Sequence, residues 1–259
     1  MPRWRREWSA RFPVANFYDT DRAVSEYLLF HYGDPGVLMP WAFGPREGTA
    51  FPVRCVSETF SPTTSPARLR ALDLGCAVGR SAFELSRQAT EVVGVDTSSR
   101  FVAAAEALRR DEVLSFDAVV EGDLTQRWEA RRPTGSHPDR ITFEVGDALR
   151  LRSGLGTFDR VLAANLLDRV PDPEALLRSF GALVNPRGEL VLTSPYTWLE
   201  EYTPRSAWLT RGGNRASEVL GEMLGEFRLV RRIDLPFVIR EHARKFQWSV
   251  AEATVWCRL

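Results

Sequence analysis

Between residues 70 and 194, five short apolar runs alternate with helical patterns, and this alternation restricts the fold more than any other feature of the chain. RALDLG (70–75), EVVGVD (91–96), ITFEVG (141–146), FDRVLAAN (158–165) and GELVLTS (188–194) have the length and apolar density of buried strands. FELSRQ, SRFVAAAEALRR and PEALLRSFGALV read as helices between them. Strands linked by helices pair in parallel, because each crossover lays a helix on a sheet face and both faces become buried. Near the C-terminus the texture changes. FRLVRRIDLPFVIRE and FQWSVAEATVWCRL read as two long strands with no helix between them, which predicts a closing antiparallel pair on an open α/β sheet.

Ahead of the sheet, residues 20–32 predict a helix capped by Thr20, with Ala23, Val24, Tyr27 and Leu28 in one stripe and Gly33 and Pro35 ending it. Residues 34–66 are dense in Pro, Gly, Ser and Thr and read as a connecting arm. Residues 1–66 are therefore expected to form a helical arm and lid on a domain at 67–259, as one structural unit. Residues 111–140 stand where a short connection is usual and predict a surface hairpin. With 34 basic and 34 acidic residues the formal charge is zero, which argues against a coat for nucleic acid or anionic membrane and favours small substrates. Cys55, Cys76 and Cys257 are odd in number and widely spaced, so neither a disulfide framework nor a zinc knuckle is indicated. No apolar run approaches the ~20 residues of a membrane span. The N-terminus shows no secretory h-region, so a cytoplasmic location is expected.

The turn LDLGCAVGR, Leu72 to Arg80, lies where the first strand passes into the first helix. Gly75 permits the sharp turn, Gly79 lets the helix start close to a ligand, and the helix N-terminus offers free amides. The spacing Asp73-x-Gly75-x-x-x-Gly79 differs from the G-x-G-x-x-G of nicotinamide enzymes and favours S-adenosylmethionine. It resembles the pattern of class I methyltransferases, with Ala77 where many members have a middle glycine. That resemblance implies a Rossmann-like α/β fold with a mostly parallel seven-stranded sheet and a C-terminal antiparallel hairpin. Asp96 closes the second strand, placed to accept ribose hydroxyls, and Asp147 closes the third, placed for an adenine amino group. Asn165 ends the fourth near the methionine half. Together these groups predict one crevice at the carboxyl edge of the sheet. With the flanking Arg80, Thr97 and Ala148 they form the expected cofactor set.

SPYTWLEEYTP (194–204) follows the fifth strand at the same edge. Methyl transfer from a sulfonium moves positive charge toward the acceptor, and aromatic faces with carboxylates stabilise such charge. Tyr196, Trp198, Glu200, Glu201 and Tyr202 are therefore acceptor-side candidates. NFYDTDRAVSEYLLFHYG, ALDLGCAVGRSAFELSR, VLAANLLDRV, SPYTWLEEYTP and PFVIREHARKFQWSVAEATVW together resemble the methyltransferase of ovothiol biosynthesis, which also occurs as the C-terminal domain of a sulfoxide synthase. The resemblance implies methyl transfer to the imidazole nitrogen nearer the side-chain stem of 4-mercaptohistidine, giving ovothiol A. The family's iron-binding synthase part is not in this sequence, so a separate sulfoxide synthase is the expected functional partner.

An amino-acid substrate needs a cation for its carboxylate, for which Arg240 and Lys245, the sole lysine, are candidates, and an acid for its ammonium, for which Glu200 and Glu201 are. Gln247 lies beside them in sequence. His31 or Tyr196 is the candidate base, and Asn16 and Tyr18 are candidates to close over the pocket. No histidine–carboxylate cluster has metal spacing, and no metal is expected. Three other readings stay open: a class I methyltransferase for another small amine or thiol, a nicotinamide-dependent reductase, and a non-catalytic S-adenosylmethionine-binding partner of a synthase.

Overall fold

The computed structural model describes residues 17–62, 68–210 and 212–259. Seven strands form one sheet: β1 (Arg70–Leu74), β2 (Glu91–Asp96), β5 (Ile141–Val145), β6 (Phe158–Ala164), β7 (Val184–Ser194), β8 (Phe227–His242) and β9 (Lys245–Arg258). Their order across the sheet is β5-β2-β1-β6-β7-β9-β8. The first five pair in parallel, whereas β9 runs antiparallel to both β7 and β8. This is the Rossmann-like α/β sheet that the alternating pattern predicts, closed by the antiparallel strands. The chain winds outward in one direction from β1 through β2 to β5 and in the other through β6 to β7. A topological switch point therefore lies between β1 and β6, and the loops leaving their carboxyl ends must part there.

Helices cover both faces. On one, α1 (Asp21–Tyr32), α3 (Phe51–Ser57), α4 (Arg80–Leu85) and α5 (Ser99–Arg109) bury Leu28, Phe51, Cys55, Phe83 and Phe101. On the other, α6 (Pro173–Leu183) and α7 (Ala216–Met223) bury Leu176, Phe180, Val219 and Leu220. With apolar layers on both sides, Ala71 to Leu74 of β1 are all buried, which is why that strand is a continuous apolar run broken by a single acid.

Two parts of the arm differ from expectation. Thr20 caps α1, accepting from Ala23 N at 3.2 Å, but Gly33 ends the helix in an extended conformation (φ −61) rather than a left-handed one. Glycine is needed there because a Cβ would lie 2.5 Å from the Leu29 carbonyl oxygen. Residues 34–62 are also more than a connection. They hold the short α2 (Pro35–Leu38) and the buried α3, where Pro52 sits in the first turn and so removes no helical hydrogen bond. The insertion forms an antiparallel hairpin, β3 (Leu114–Glu121) and β4 (Leu124–Ala130), turning at Gly122 and Asp123. Among the described residues no helix is long and apolar enough to cross a membrane.

Candidate active site

A crevice of about 340 Å³ opens at the switch point. Its floor is the loop after β1, where Gly75 (φ 79), Ala77 (φ 46) and Gly79 (φ 86) alternate in left-handed conformations. Gly75 N and Cys76 N both donate to the Val95 carbonyl, which pins the loop to the end of β2. Ala77 N donates to Asp96 Oδ2 at 2.9 Å and Ser98 N to Asp96 Oδ1 at 2.9 Å, so one carboxylate holds two loops apart at a fixed separation.

Asp73, at the carboxyl end of β1, is 1% exposed and faces the crevice, and its Oδ2 has no hydrogen-bond partner among the described residues. Burial, with the nearby Asp96 charge second, pushes its carboxyl up to about 7. A buried carboxyl with an unsatisfied oxygen is costly unless a donor or cation arrives. Asp96 is raised too, by burial, with its backbone donors opposing. On the facing loop Asn165 takes a left-handed conformation (φ 50), and Thr193 Oγ1 donates to its Oδ1 at 2.9 Å. Asp73, Gly75, Ala77, Asp96, Thr97 and Asn165 thus line one crevice.

The other four expected cofactor residues stand back from it. The missing Cβ of Gly79 faces Phe143 and Ala105, so this glycine makes room for close packing of β5 and α5. Arg80 pairs with Glu84 along α4. Asp147 Oδ1 accepts Leu149 N at 2.9 Å and shapes the turn after β5, and Ala148 is buried in the core of the opposite face.

The outer half of the crevice is aromatic. Tyr18, Tyr27, Phe30, Tyr202 and Phe237 line it, with His31, Glu26, Arg169 and Gln247 as the polar groups. Tyr18 and Tyr202 have ring centroids 5.4 Å apart, and the Arg169 guanidinium lies 5.3 Å from the Tyr202 centroid. Arg169 is held by Asp168 Oδ2 at 2.8 Å and the Thr197 carbonyl at 2.9 Å. His31 is buried with Nδ1 unpartnered among the described residues, and burial followed by the Arg80 charge lowers it to about 3. The ring is therefore neutral at ordinary pH and a weak proton acceptor.

Other expected acceptor residues lie elsewhere. From the 194–204 loop it is Pro195, Leu199 and Tyr202 that reach the crevice. Tyr196 (φ 52) donates its hydroxyl to Glu252 Oε2 at 3.3 Å, and burial followed by that carboxylate raises its pKa. Trp198 is buried in the opposite core, and Glu200 and Glu201 face solvent. Lys245 is paired with Glu241 at 2.6 Å near the turn between β8 and β9, and Arg240 lines a neighbouring cavity. Asn16 lies outside the described residues. Arg169, Glu26 and Tyr27 were missed by the sequence reading. Their one signal was position, Arg169 in the loop after β6 and the others on the helix whose stripe was recognised.

A protein-family model described as a methyltransferase domain matches residues 52–233. The chain belongs to this methyltransferase family. Its members depend on S-adenosylmethionine, and the lining of the crevice fits that donor: Asp73 has an unsatisfied buried carboxylate oxygen, Asp96 is a second carboxylate beside it, and the loop at Gly75 forms the floor. The methyltransferase is 24% identical over 192 residues to norajmaline N-methyltransferase of Rauvolfia serpentina, covering 70% of this chain and 57% of that protein. It is 27% identical over 143 residues to a ubiquinone biosynthesis O-methyltransferase of Xanthomonas axonopodis, covering 55% and 49%. The chain spans about half the length of these relatives. Among solved structures, the [4+2]-cyclase SpnF has the same fold at 18% identity and TM-score 0.56, with 94% of each chain covered.

Proposed function

We propose that this methyltransferase transfers a methyl group from S-adenosylmethionine to the imidazole nitrogen nearer the side-chain stem of 4-mercaptohistidine, forming ovothiol A, with a separate sulfoxide synthase supplying the substrate. The observation that carries this reading is the aromatic part of the crevice lining. Tyr18, Tyr27 and Tyr202 line it together with one guanidinium (Arg169), one carboxylate (Glu26), one amide (Gln247) and a neutral imidazole with a free Nδ1. Aromatic walls suit a flat heteroaromatic ring, and Arg169 and Glu26, each also paired with a neighbouring charge (Asp168 and Arg22), are the guanidinium and carboxylate on offer to the carboxylate and ammonium of a free amino acid.

The donor supplies a methyl group made electrophilic by its sulfonium. The residues of this chain do the rest. Asp73 and Asp96 hold the cationic and hydroxyl-bearing ends, and the tyrosine faces stabilise the positive charge that reaches the acceptor ring. One C–S bond breaks as one C–N bond forms, and one proton is released. His31, held near 3, is unsuited to take that proton and instead offers Nδ1 as a hydrogen-bond acceptor that orients the ring. Arg169 takes over the carboxylate role first expected of Arg240 and Lys245.

The likeness to an N-methyltransferase supports nitrogen as acceptor, while the likeness to O-methyltransferases favours a small hydroxyl compound as the second reading. Incubation with S-adenosylmethionine and 4-mercaptohistidine, histidine or ergothioneine, read by mass spectrometry and proton NMR, separates them. One methyl on the stem-side nitrogen of the thiohistidine alone is the expected product. Donor binding without methylation of any thiohistidine would end the ovothiol reading.

A further inference from the structure

A second cavity, of about 530 Å³, lies on the other side of α1 from the crevice. It is enclosed by α1, by the β3–β4 hairpin and by the end of β8, and Glu26 is common to both walls. Four carboxylates line it, and each already has a cation: Asp21 pairs with Arg100, Glu26 with Arg22 at 2.8 Å, Asp117 with Arg127 at 3.0 Å and Glu241 with Lys245 at 2.6 Å.

Arg240 is the exception. It is 8% exposed, its guanidinium rests 5.6 Å from the Trp128 ring centroid, and it has neither hydrogen bond nor ion pair among the described residues. Its Nε and the neighbouring Trp128 Nε1 are both buried donors without acceptors. A guanidinium held against an aromatic ring without an ion pair is unusual, because largely buried charges normally pair or bind a ligand. Burial correspondingly lowers the Arg240 pKa. The unpaired Arg240 donors call for an anion, and the carboxylates around it, although ion-paired, can each accept a further bond from a ligand that carries its own ammonium.

We propose that this cavity binds a small zwitterion of the α-amino-acid class, its carboxylate on Arg240 and its ammonium toward the acid-lined wall. The planar guanidinium, fixed against Trp128, presents a fork matched to two carboxylate oxygens. Ser25, on the same wall, adds a hydroxyl. The site is separate from the crevice and does not depend on which acceptor is methylated.

The test is calorimetric titration of the S-adenosylhomocysteine-saturated protein with glycine, L-histidine, L-glutamate, acetate, ethylamine and inorganic phosphate. At least one amino acid should bind, with acetate, ethylamine and phosphate at least tenfold weaker. Arg240→Met should lose that binding tenfold or more, and Arg169→Met, which alters only the crevice, should keep it. Removing an unpaired buried charge should leave the melting temperature of Arg240→Met equal to or above wild type. Ser25→Trp, which puts a large side chain on the α1 wall of the cavity, should abolish binding independently. Absence of amino-acid binding, binding lost in Arg169→Met but kept in Arg240→Met, or phosphate binding as tight as any amino acid would each overturn the proposal.

Discussion

Arg169 Nε donates to Tyr18 Oη at 3.2 Å, joining two positions 151 residues apart in the chain. The bond ties the N-terminal arm to the loop after β6, and Ser98 Oγ anchors the same segment by donating to the Tyr18 carbonyl at 2.8 Å. The arm is thereby a wall of the crevice. Arg169 Nη1 donates to Asp168 and to the Thr197 carbonyl, so its orientation is set by three separate segments while Nη2 stays available to a ligand.

Tyr18→Phe removes the Arg169 contact but keeps the ring against Tyr27 and Tyr202. A hydrogen bond to a charged donor contributes about 1.5–3 kcal/mol. The acceptor KM should rise about tenfold or more, while the donor Kd stays within about twofold. Steady-state kinetics with donor binding measured separately checks this. A shift in donor affinity instead would show that the arm closes on the cofactor half.

The buried Asp73 carboxyl predicts a pH-sensitive donor site. Its folded pKa of about 7 lies above the ordinary 3.8, with burial the main cause. Between those values folding takes up a proton, so this group's contribution to stability falls as pH rises from about 4 to 7 and the burial penalty is complete above 7. A cationic ligand prefers the ionised form, so donor affinity should climb as pH passes from 6 to 8. Asp73→Asn should flatten both profiles. Melting curves and calorimetry across that range provide the check, and an unchanged slope in Asp73→Asn would remove this residue as the cause.

His31 predicts the opposite trend. Its folded pKa of about 3 lies below the ordinary 6.5, so the unfolded chain gains a proton first as pH falls. Stability from the neutral buried ring is complete above about 6.5 and is lost progressively toward 3. His31→Gln should reduce this acid-side loss. Because the ring does not titrate near neutrality, wild-type turnover between pH 6 and 8 should show no limb traceable to His31, and His31→Gln should keep measurable turnover with a raised acceptor KM. Loss of all turnover, with folding intact, would restore His31 as the base.

The sheet was legible because burial on two faces leaves an unmistakable pattern, and the helix cap at Thr20 follows from local hydrogen bonding. Asp73, Gly75 and Asp96 were legible because a strand end fixes where they point. The loop SPYTWLEEYTP was not. In an irregular segment no period sets side-chain direction, and here Leu199 and Tyr202 turn to the crevice, Trp198 to the core and the glutamates to water. Helix α3 was hidden in a Pro- and Ser-rich stretch, although Phe51, Cys55 and Val56 have helical spacing. Arg169 gained its place only through contacts across distant segments.

Ala77 and Gly79 both take left-handed conformations, yet they should respond to mutation in opposite ways. Ala77 (φ 46) carries a Cβ where glycine is at home, at a cost of about 1–2 kcal/mol, partly offset by the chain entropy that glycine adds to the unfolded state. Ala77→Gly should therefore be neutral or stabilise by up to about 1 kcal/mol, with the Ala77 N to Asp96 bond preserved. Gly79→Ala meets two penalties at once. The left-handed backbone (φ 86) strains any side chain, and the new Cβ would lie 2.6 Å from Phe143 Cζ and 3.0 Å from Ala105 Cβ. Phe143 cannot withdraw easily, because it packs edge-on against Phe83 at 5.8 Å. Overpacking of this kind costs about 1–3 kcal/mol in addition to the backbone strain. Urea unfolding of the two variants decides the matter: equal stabilities would mean that α5 and the β5 ring yield to the methyl group, and that Gly79 is there for the turn alone.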